Sequence, residues 1–155
     1  MQIAAARNHI DCTLELGVKS PQIVFADADI EAVIPVVIGA IVQNASQTCS
    51  AGARVLVENN ILAEFTKRLG TAFSELEIGT PEMDLNLGPL INQTQHRRIT
   101  PYCEQAETDG VLMIASGRIA DDSPKGDTSL LPDYTAPFLS ITHSLMKKYL
   151  VQYCP

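Results

Sequence analysis

Tryptophan is absent from the 155-residue sequence, and aromatic residues make up only 5% of it. A base-stacking platform for single-stranded nucleic acid needs exposed aromatic rings, so none is expected. Basic residues are also scarce, since 11 Lys and Arg stand against 18 Asp and Glu for a net charge of −7. Binding to a phosphate backbone needs clustered cations, and we therefore expect no nucleic-acid partner.

Cysteine and histidine are too few and too dispersed for a metal site. The cysteines stand at positions 12, 49, 103 and 154 without a CxxC pair, and the three histidines form no HExxH motif. Zinc sites need closely spaced Cys or His ligands, so we expect no metal. Cysteines this sparse do not make a disulfide framework, and no basic segment followed by an apolar run opens the sequence. We expect reduced thiols in a cytoplasmic protein.

The composition is that of a folded protein rather than a disordered one. Hydrophobic residues make up 46%, charged residues 19%, and the mean hydropathy is +0.09. A disordered chain would be poorer in apolar residues and richer in net charge. The apolar stretch at 30–43 is too short, and too close to acidic residues, to span a bilayer, so we expect no membrane partner.

Hydrophobic periodicity predicts an α/β fold with a mostly parallel sheet and flanking helices. Short apolar runs predict strands at 13–16, 22–25, 53–58 and 111–115. Helical spacing predicts helices at 2–8, 30–43, 61–76 and 93–108. Asp27 or Asp29 is expected to cap the helix at 30–43. That helix is apolar almost all round, which predicts burial inside a large core. Residues 118–135 are predicted to be a loop.

Two short stretches each place one reactive side chain among small residues. Glu15 lies in LELGVKSP (14–21), and Cys49 lies in QNASQTCSAG (43–52). Small neighbours leave room for a substrate to approach a thiol. The residues alone leave both alternatives open, since Cys49 could be a small buried hydrophobe and Glu15 a solvated carboxylate.

The same stretches resemble the signature motifs of the NAD(P)-dependent aldehyde dehydrogenase superfamily, which read roughly LELGGKSP and NxGQxCxAxxR. Here LELGVKSP is followed by NASQTCSAGAR, with 34 positions from Glu15 to Cys49. Further similarity lies in VFADADIEAVIPVVIGAIVQNA, RVLVENNILAEFTKRL and LGPLINQTQHRRI, and it extends almost continuously from Gln2 to Tyr134. The resemblance implies a partial aldehyde dehydrogenase catalytic domain.

The resemblance also implies roles for individual residues. Cys49 matches the nucleophile that attacks the aldehyde, and its backbone amide one oxyanion donor. Glu15 matches the general base that activates water. Leu16 matches a carbonyl contact to the nicotinamide amide, and Gln95 and Arg98 match positions near the nicotinamide ribose. The cofactor would be NAD or NADP. A solvated helix face is the alternative for Gln95 and Arg98.

Two positions depart from the family motifs, since Val18 and Ser46 each replace a glycine, and Ser46 is expected to shift the loop before Cys49. The sequence also has no glycine-rich phosphate turn after a strand. We therefore hold two hypotheses: an aldehyde-oxidising segment, or a product that is inactive alone and at most forms homo-oligomers or associates with intact family subunits. Thiol-dependent ester hydrolysis is a third. Strands separated from the family's remaining part would have unpaired edges, and the apolar helix at 30–43 would face water, both of which favour aggregation.

The similarity ends near Tyr134, which predicts a partial catalytic domain at 1–135 and a divergent tail at 136–155. Aldehyde dehydrogenases continue with a motif close to EEIFGPVLS. A DNA sequence that encodes 146–155 can be written so that it spells this motif from the third base of the Met146 codon. We therefore expect an out-of-frame tail, with a natural divergent tail as the alternative.

Overall fold

The structure is a computed structural model that describes residues 1–14, 16–17, 19–123, 138–143 and 149–154. The helices are α1 (Gln2–Arg7), α2 (Ile30–Val42), α3 (Leu62–Ser74) and α4 (Gln93–Thr108). The strands are β1 (Pro21–Val24), β2 (Arg54–Val57), β3 (Glu77–Ile78), β4 (Leu112–Ser116), β5 (Arg118–Ile119), β6 (Phe138–His143) and β7 (Tyr149–Cys154).

Most predicted elements are present, with ends shifted by one or two residues. The predicted strand at 13–16 is wrong, because Thr13, Leu14 and Leu16 lie outside every described strand. A strand persists only where a neighbour completes its hydrogen-bond ladder, and no described strand pairs with this segment. The predicted loop at 118–135 begins with the short strand β5, and its residues beyond 123 lie outside the described ones.

The main sheet has the strand order β1-β2-β7-β6-β4, and β3 and β5 form a second, two-stranded sheet. The predicted α/β class is confirmed, since β1 pairs with β2 in parallel and β3 pairs with β5 in parallel. The mostly parallel arrangement is not found among the described strands of the main sheet, where β1–β2 is the one parallel pair. A parallel pair needs a crossover connection, and α2 is the helix between β1 and β2. The three antiparallel pairings, β2–β7, β6–β7 and β4–β6, all involve β6 or β7.

Residues 138–143 and 149–154 therefore supply strand partners that were not predicted from the sequence. β7 pairs with β2 from Arg54↔Gln152 to Leu56↔Leu150, and β6 pairs with β4. Among the described strands of the main sheet, the expectation of unpaired edges is correct for the outer sides of β1 and β4 and wrong for β2, which is paired on both sides. The predicted boundary at 135 and the out-of-frame origin of the tail stay predictions, because strand pairing does not report the reading frame.

The core forms between the main sheet and helices α2 and α3. Phe65, Leu69 and Phe73 lie one helical turn apart on α3 and are 0 to 2% exposed. A Cβ on Gly70 would lie 3.3 Å from Ile114 Cγ2, so α3 packs closely against β4. This spacing of apolar residues on one face is the amphipathic pattern that predicted the helix.

Helix α2 is buried on one face only. Ile34, Val37 and Ile41 are at most 8% exposed, whereas Val36 is 67% exposed. Within the described part of the chain, burial is found on the sheet side of α2 only, and the exposed Val36 agrees with the expectation that this helix faces water in a separated segment. None of the helices described here is long and apolar enough to cross a membrane.

The cap of α2 is Asp29 rather than Asp27. Asp29 Oδ1 accepts hydrogen bonds from the backbone N–H groups of Glu31 at 3.1 Å and Ala32 at 3.4 Å. These amides belong to the first turn, where no helix carbonyl is available to them. The carboxylate therefore fixes where α2 begins.

We predict that Asp29→Ala lowers the free energy of unfolding by about 1 kcal/mol, because two first-turn amides lose their acceptor. The matched control is Asp27→Ala, since Asp27 is exposed and outside the helix; its effect should stay below about 0.5 kcal/mol. Urea titration followed by circular dichroism measures both. Equal losses in the two variants would contradict the assignment of the cap.

Candidate active site

A cavity of about 580 Å³ lies beside the connection between α2 and β2. Cys49 and Gln95, two of the predicted site residues, both line it. The other walls are formed by the segment before α4 and by Lys19. The full lining is Lys19, Ile41, Asn44, Ala45, Ser46, Gln47, Thr48, Cys49, Ala51, Ala53, Pro89, Leu90, Ile91, Gln95 and Ile99.

Cys49 lies at the tip of a tight turn. The backbone N–H of Ala51 donates to the carbonyl of Thr48 at 3.1 Å, which closes the turn around Cys49 and Ser50. The Cys49 side chain is exposed, so the alternative of a small buried hydrophobe is wrong. Within the described residues, nothing accepts a hydrogen bond from the Cys49 amide. The turn thus presents an accessible thiol beside an available N–H donor.

Three consecutive residues before this turn have left-handed backbone conformations. The φ angles of Asn44, Ala45 and Ser46 are 52°, 51° and 62°. Left-handed φ strains residues that carry a Cβ, and glycine avoids the strain. Ser46 is 7% exposed, and its hydroxyl donates to the Ile41 carbonyl at 2.5 Å. That bond ties the turn back to the end of α2.

Gln47 links the cysteine turn to the segment before α4. Its Nε2 donates to the Asn44 carbonyl at 3.3 Å, and its Oε1 accepts from the Ile91 N–H at 3.0 Å. The Asn44 side chain returns a bond, because its Nδ2 donates to the Gln47 carbonyl at 3.2 Å. Two chain segments that lie 44 residues apart are thereby joined through one side chain.

The first motif reaches the cavity through Lys19. Its carbonyl accepts from Arg54 Nε at 2.9 Å and also from Arg54 Nη2. Arg54 begins β2, so the guanidinium fastens the motif beside the strand that follows the cysteine turn. Leu16 is 68% exposed and does not line the cavity. Glu15 and Val18 lie outside the described residues.

Helix α4 brings Gln95, and not Arg98, to the cavity. Asn92 Oδ1 accepts from the Gln95 N–H at 2.9 Å and caps the first turn of the helix. Gln95 is half-buried in the cavity wall. Arg98 is exposed and outside the lining, which favours the alternative of a solvated helix face for this residue.

Several residues that build the site were not predicted from the sequence. Gln47 and Asn44 stood inside the quoted motif without an assigned role, and Ile91 gave no local signal because its contact is with a residue distant in sequence. In the ranges that the structure describes, no three His, Cys, Asp or Glu residues form a group that could hold a metal ion.

We predict that Ser46→Ala lowers the free energy of unfolding by about 1–2 kcal/mol, because the bond to the Ile41 carbonyl is lost and its acceptor is left buried. Ser46→Gly loses the same bond but removes left-handed strain of about 1 kcal/mol, so it should be more stable than the alanine variant. Thermal melting of both variants gives the order. An alanine variant as stable as the unsubstituted chain would rule out this account of Ser46.

Comparison with known proteins shows which family this sequence resembles. The aldehyde dehydrogenase family model matches residues 1–132. A betaine aldehyde dehydrogenase from Rhizobium leguminosarum is 37% identical over 123 residues, which are 77% of this chain and 25% of that protein. A (Z)-2-((N-methylformamido)methylene)-5-hydroxybutyrolactone dehydrogenase from Acinetobacter baylyi is 36% identical over 118 residues, 76% of this chain and 24% of that protein.

Solved structures agree with this assignment. A Burkholderia cenocepacia protein described as an aldehyde dehydrogenase is 47% identical, with a TM-score of 0.79 over 90% of this chain and 28% of its own. Betaine aldehyde dehydrogenase from Staphylococcus aureus, in complex with NAD+, is 32% identical, with a TM-score of 0.67 over 79% of this chain and 24% of its own. The chain spans about a quarter of the length of the curated relatives it matches. Because the family model matches most of its sequence, the chain belongs to the aldehyde dehydrogenase family.

Proposed function

We propose that this chain is the segment of an NAD(P)-dependent aldehyde dehydrogenase that carries the nucleophilic cysteine. The observation that carries the proposal is the convergence of two predicted site residues, Cys49 and Gln95, on one cavity. They come from separate elements, a turn after α2 and the first turn of α4. Small-molecule sites are concave and carry a few convergent polar groups, and the cavity beside the exposed thiol of Cys49 has this form.

The chemistry proposed for Cys49 follows from its surroundings. Its sulfur adds to the carbon of an aldehyde, and the carbonyl oxygen takes up negative charge as the C–S bond forms. The Cys49 amide is proposed to stabilise this oxygen, because no described residue accepts a hydrogen bond from it. Loss of hydride from the carbon leaves a thioester on Cys49, and Glu15 is proposed to deprotonate the water that releases the carboxylic acid.

The cavity fits the nicotinamide end of the proposed cofactor. Its volume lies in the usual range of small-molecule sites. The Gln95 side chain offers an amide donor and acceptor at the wall, suited to ribose hydroxyls. Bound NAD or NADP would supply the hydride acceptor, as fits a family whose Staphylococcus aureus member is in complex with NAD+. Leu16 and Arg98 are weaker candidates for cofactor contacts, since neither lines the cavity.

We predict that Cys49→Ser reduces aldehyde oxidation to background, since a serine hydroxyl is a far weaker nucleophile than a thiolate. The absorbance of reduced nicotinamide measures turnover with a panel of aldehydes. Cys12→Ser is the matched control, because Cys12 is also exposed and does not line the cavity. Equal activity in both variants would contradict the role of Cys49, and absence of turnover in the unsubstituted chain would favour the second candidate.

The second candidate is a non-catalytic product that associates with itself or with intact family subunits. Exposed apolar side chains favour it, since Ile23 in β1 and Phe25 directly after it are 63% and 62% exposed and no described strand pairs with the outer side of β1. Apolar side chains at an unpaired edge promote association. Sedimentation of the purified chain, alone and with an intact relative, tests it; a monomer under both conditions would eliminate association.

We also propose that residues 136–155 are read out of frame. The support is the agreement between the alternative reading of 146–155 and the family motif, together with a family match that stops at residue 132. DNA sequencing across codons 136–150 distinguishes the two origins. A frame whose codons cannot spell the family motif would eliminate the out-of-frame origin.

A further inference from the structure

We propose that Gln47 is a positioning residue that sets the spacing between the Cys49 turn and the Gln95 end of α4. The catalytic part of this inference rests on the proposed function, whereas the hydrogen bonds that support it are independent of that function. The family motif contains Gln47 but assigns it no role, whereas its hydrogen bonds indicate a positioning role.

The first step is the way Gln47 is held on the cysteine side. Its own N–H donates to the Asn44 carbonyl at 3.0 Å, and its side-chain Nε2 donates to the same oxygen at 3.3 Å. Asn44 Nδ2 donates to the Gln47 carbonyl in return. Gln47 is two residues from Cys49, so these bonds restrict the turn that presents the thiol.

The second step is the way Gln47 reaches the cofactor side. Its Oε1 accepts from the Ile91 N–H at 3.0 Å. The Ile91 side chain is 78% exposed, so burial of this residue does not fix the segment. The next residue, Asn92, caps Gln95. A short run of chain therefore connects the Gln47 amide to the Gln95 side chain in the cavity wall.

The two contacts of the Gln47 side chain together need a group that both donates and accepts, as a carboxamide does. A carbonyl lies on one side and an N–H lies on the other, so the bridging side chain must donate once and accept once. A Gln47→Glu side chain accepts from Ile91 but has nothing to donate to the Asn44 carbonyl. A Gln47→Met side chain has similar length and makes neither strong bond. The two variants therefore separate the two halves of the link.

The test measures the link and the two sites it joins. Amide hydrogen exchange at Ile91 reports the cofactor side, and the rate of Cys49 alkylation by iodoacetamide, located by mass spectrometry, reports the cysteine side. The concentration of NAD+ that protects Cys49 from alkylation reports their relative position. Gln43→Met is the matched control, because Gln43 is exposed, lies in the same connection and has no side-chain hydrogen bond in the described residues.

We expect Gln47→Met to raise the exchange rate at Ile91 at least about tenfold, since the amide loses an acceptor worth about 1.4 kcal/mol or more. Gln47→Glu should keep Ile91 protected while changing the alkylation rate of Cys49. The NAD+ concentration for half protection should rise at least about tenfold in Gln47→Met. The control should leave all three measurements unchanged.

Unchanged exchange at Ile91 and unchanged alkylation of Cys49 in both Gln47 variants would overturn the inference. Exchange at Phe65 and Leu69, which are fully buried on α3, shows whether a variant has unfolded. If Gln47→Met unfolds, the split between Ile91 and Cys49 in Gln47→Glu decides. Failure of NAD+ to protect the unsubstituted chain would count against the proposed function alone, because exchange at Ile91 needs no cofactor.

Discussion

The parallel pairing of β1 with β2 is the constraint on which the site depends. Its register places Pro21 opposite Arg54, and the Arg54 N–H donates to the Ser20 carbonyl at 3.4 Å. The motif that contains Glu15 therefore ends at Pro21 beside β2, and β2 begins where the motif that contains Cys49 ends. A parallel pair requires a long crossover, and α2 fills it. The apolar helix thus lets two stretches that are distant in sequence approach one another, with Arg54 holding the Lys19 carbonyl at their junction.

The connection after α2 combines strain with compensating hydrogen bonds. Three successive residues between α2 and the Cys49 turn have left-handed φ angles. Ser46 bonds to the Ile41 carbonyl, and Asn44 and Gln47 bond to one another. Such a conformation persists only where surrounding contacts over-determine it, and it commonly lies at functional sites. The replacement of a family glycine by Ser46 is therefore accompanied by a contact that glycine lacks.

Features of the fold that depend on local interactions could be predicted from the sequence, whereas features that depend on contacts between distant segments could not. Helix α4 matches its predicted range, 93–108, because helical periodicity and turn residues act locally. The strand predicted at 13–16 is absent, because four alternating residues do not report whether a partner is available. The covered face of α2 could not be predicted for a related reason, since composition shows that a helix is apolar but not which of its faces another element covers.

The candidate site divides in the same way. Cys49 and Gln95 were found from family-like motifs, and the structure places both on one cavity. The bond from Ile91 to Gln47 could not be predicted, because it spans 44 residues and depends on the packing of two loops. The buried cluster of Leu90, Ile99 and Cys103 helps to set that packing. Its members are apolar residues of ordinary type, so nothing in their sequence marks them as supports of a site.

The strand order of the main sheet has a consequence for self-assembly. β7 occupies the side of β2 that faces away from β1, so among the described residues the unpaired sides of this sheet are the outer sides of β1 and β4. Two copies that met β1 to β1 would form an isologous contact related by a twofold axis, and growth through this contact alone would stop at a dimer. Copies that met β1 to β4 would form a heterologous contact with both ends open, which propagates as a filament. Which of these edges met would therefore decide between a closed pair and an open polymer.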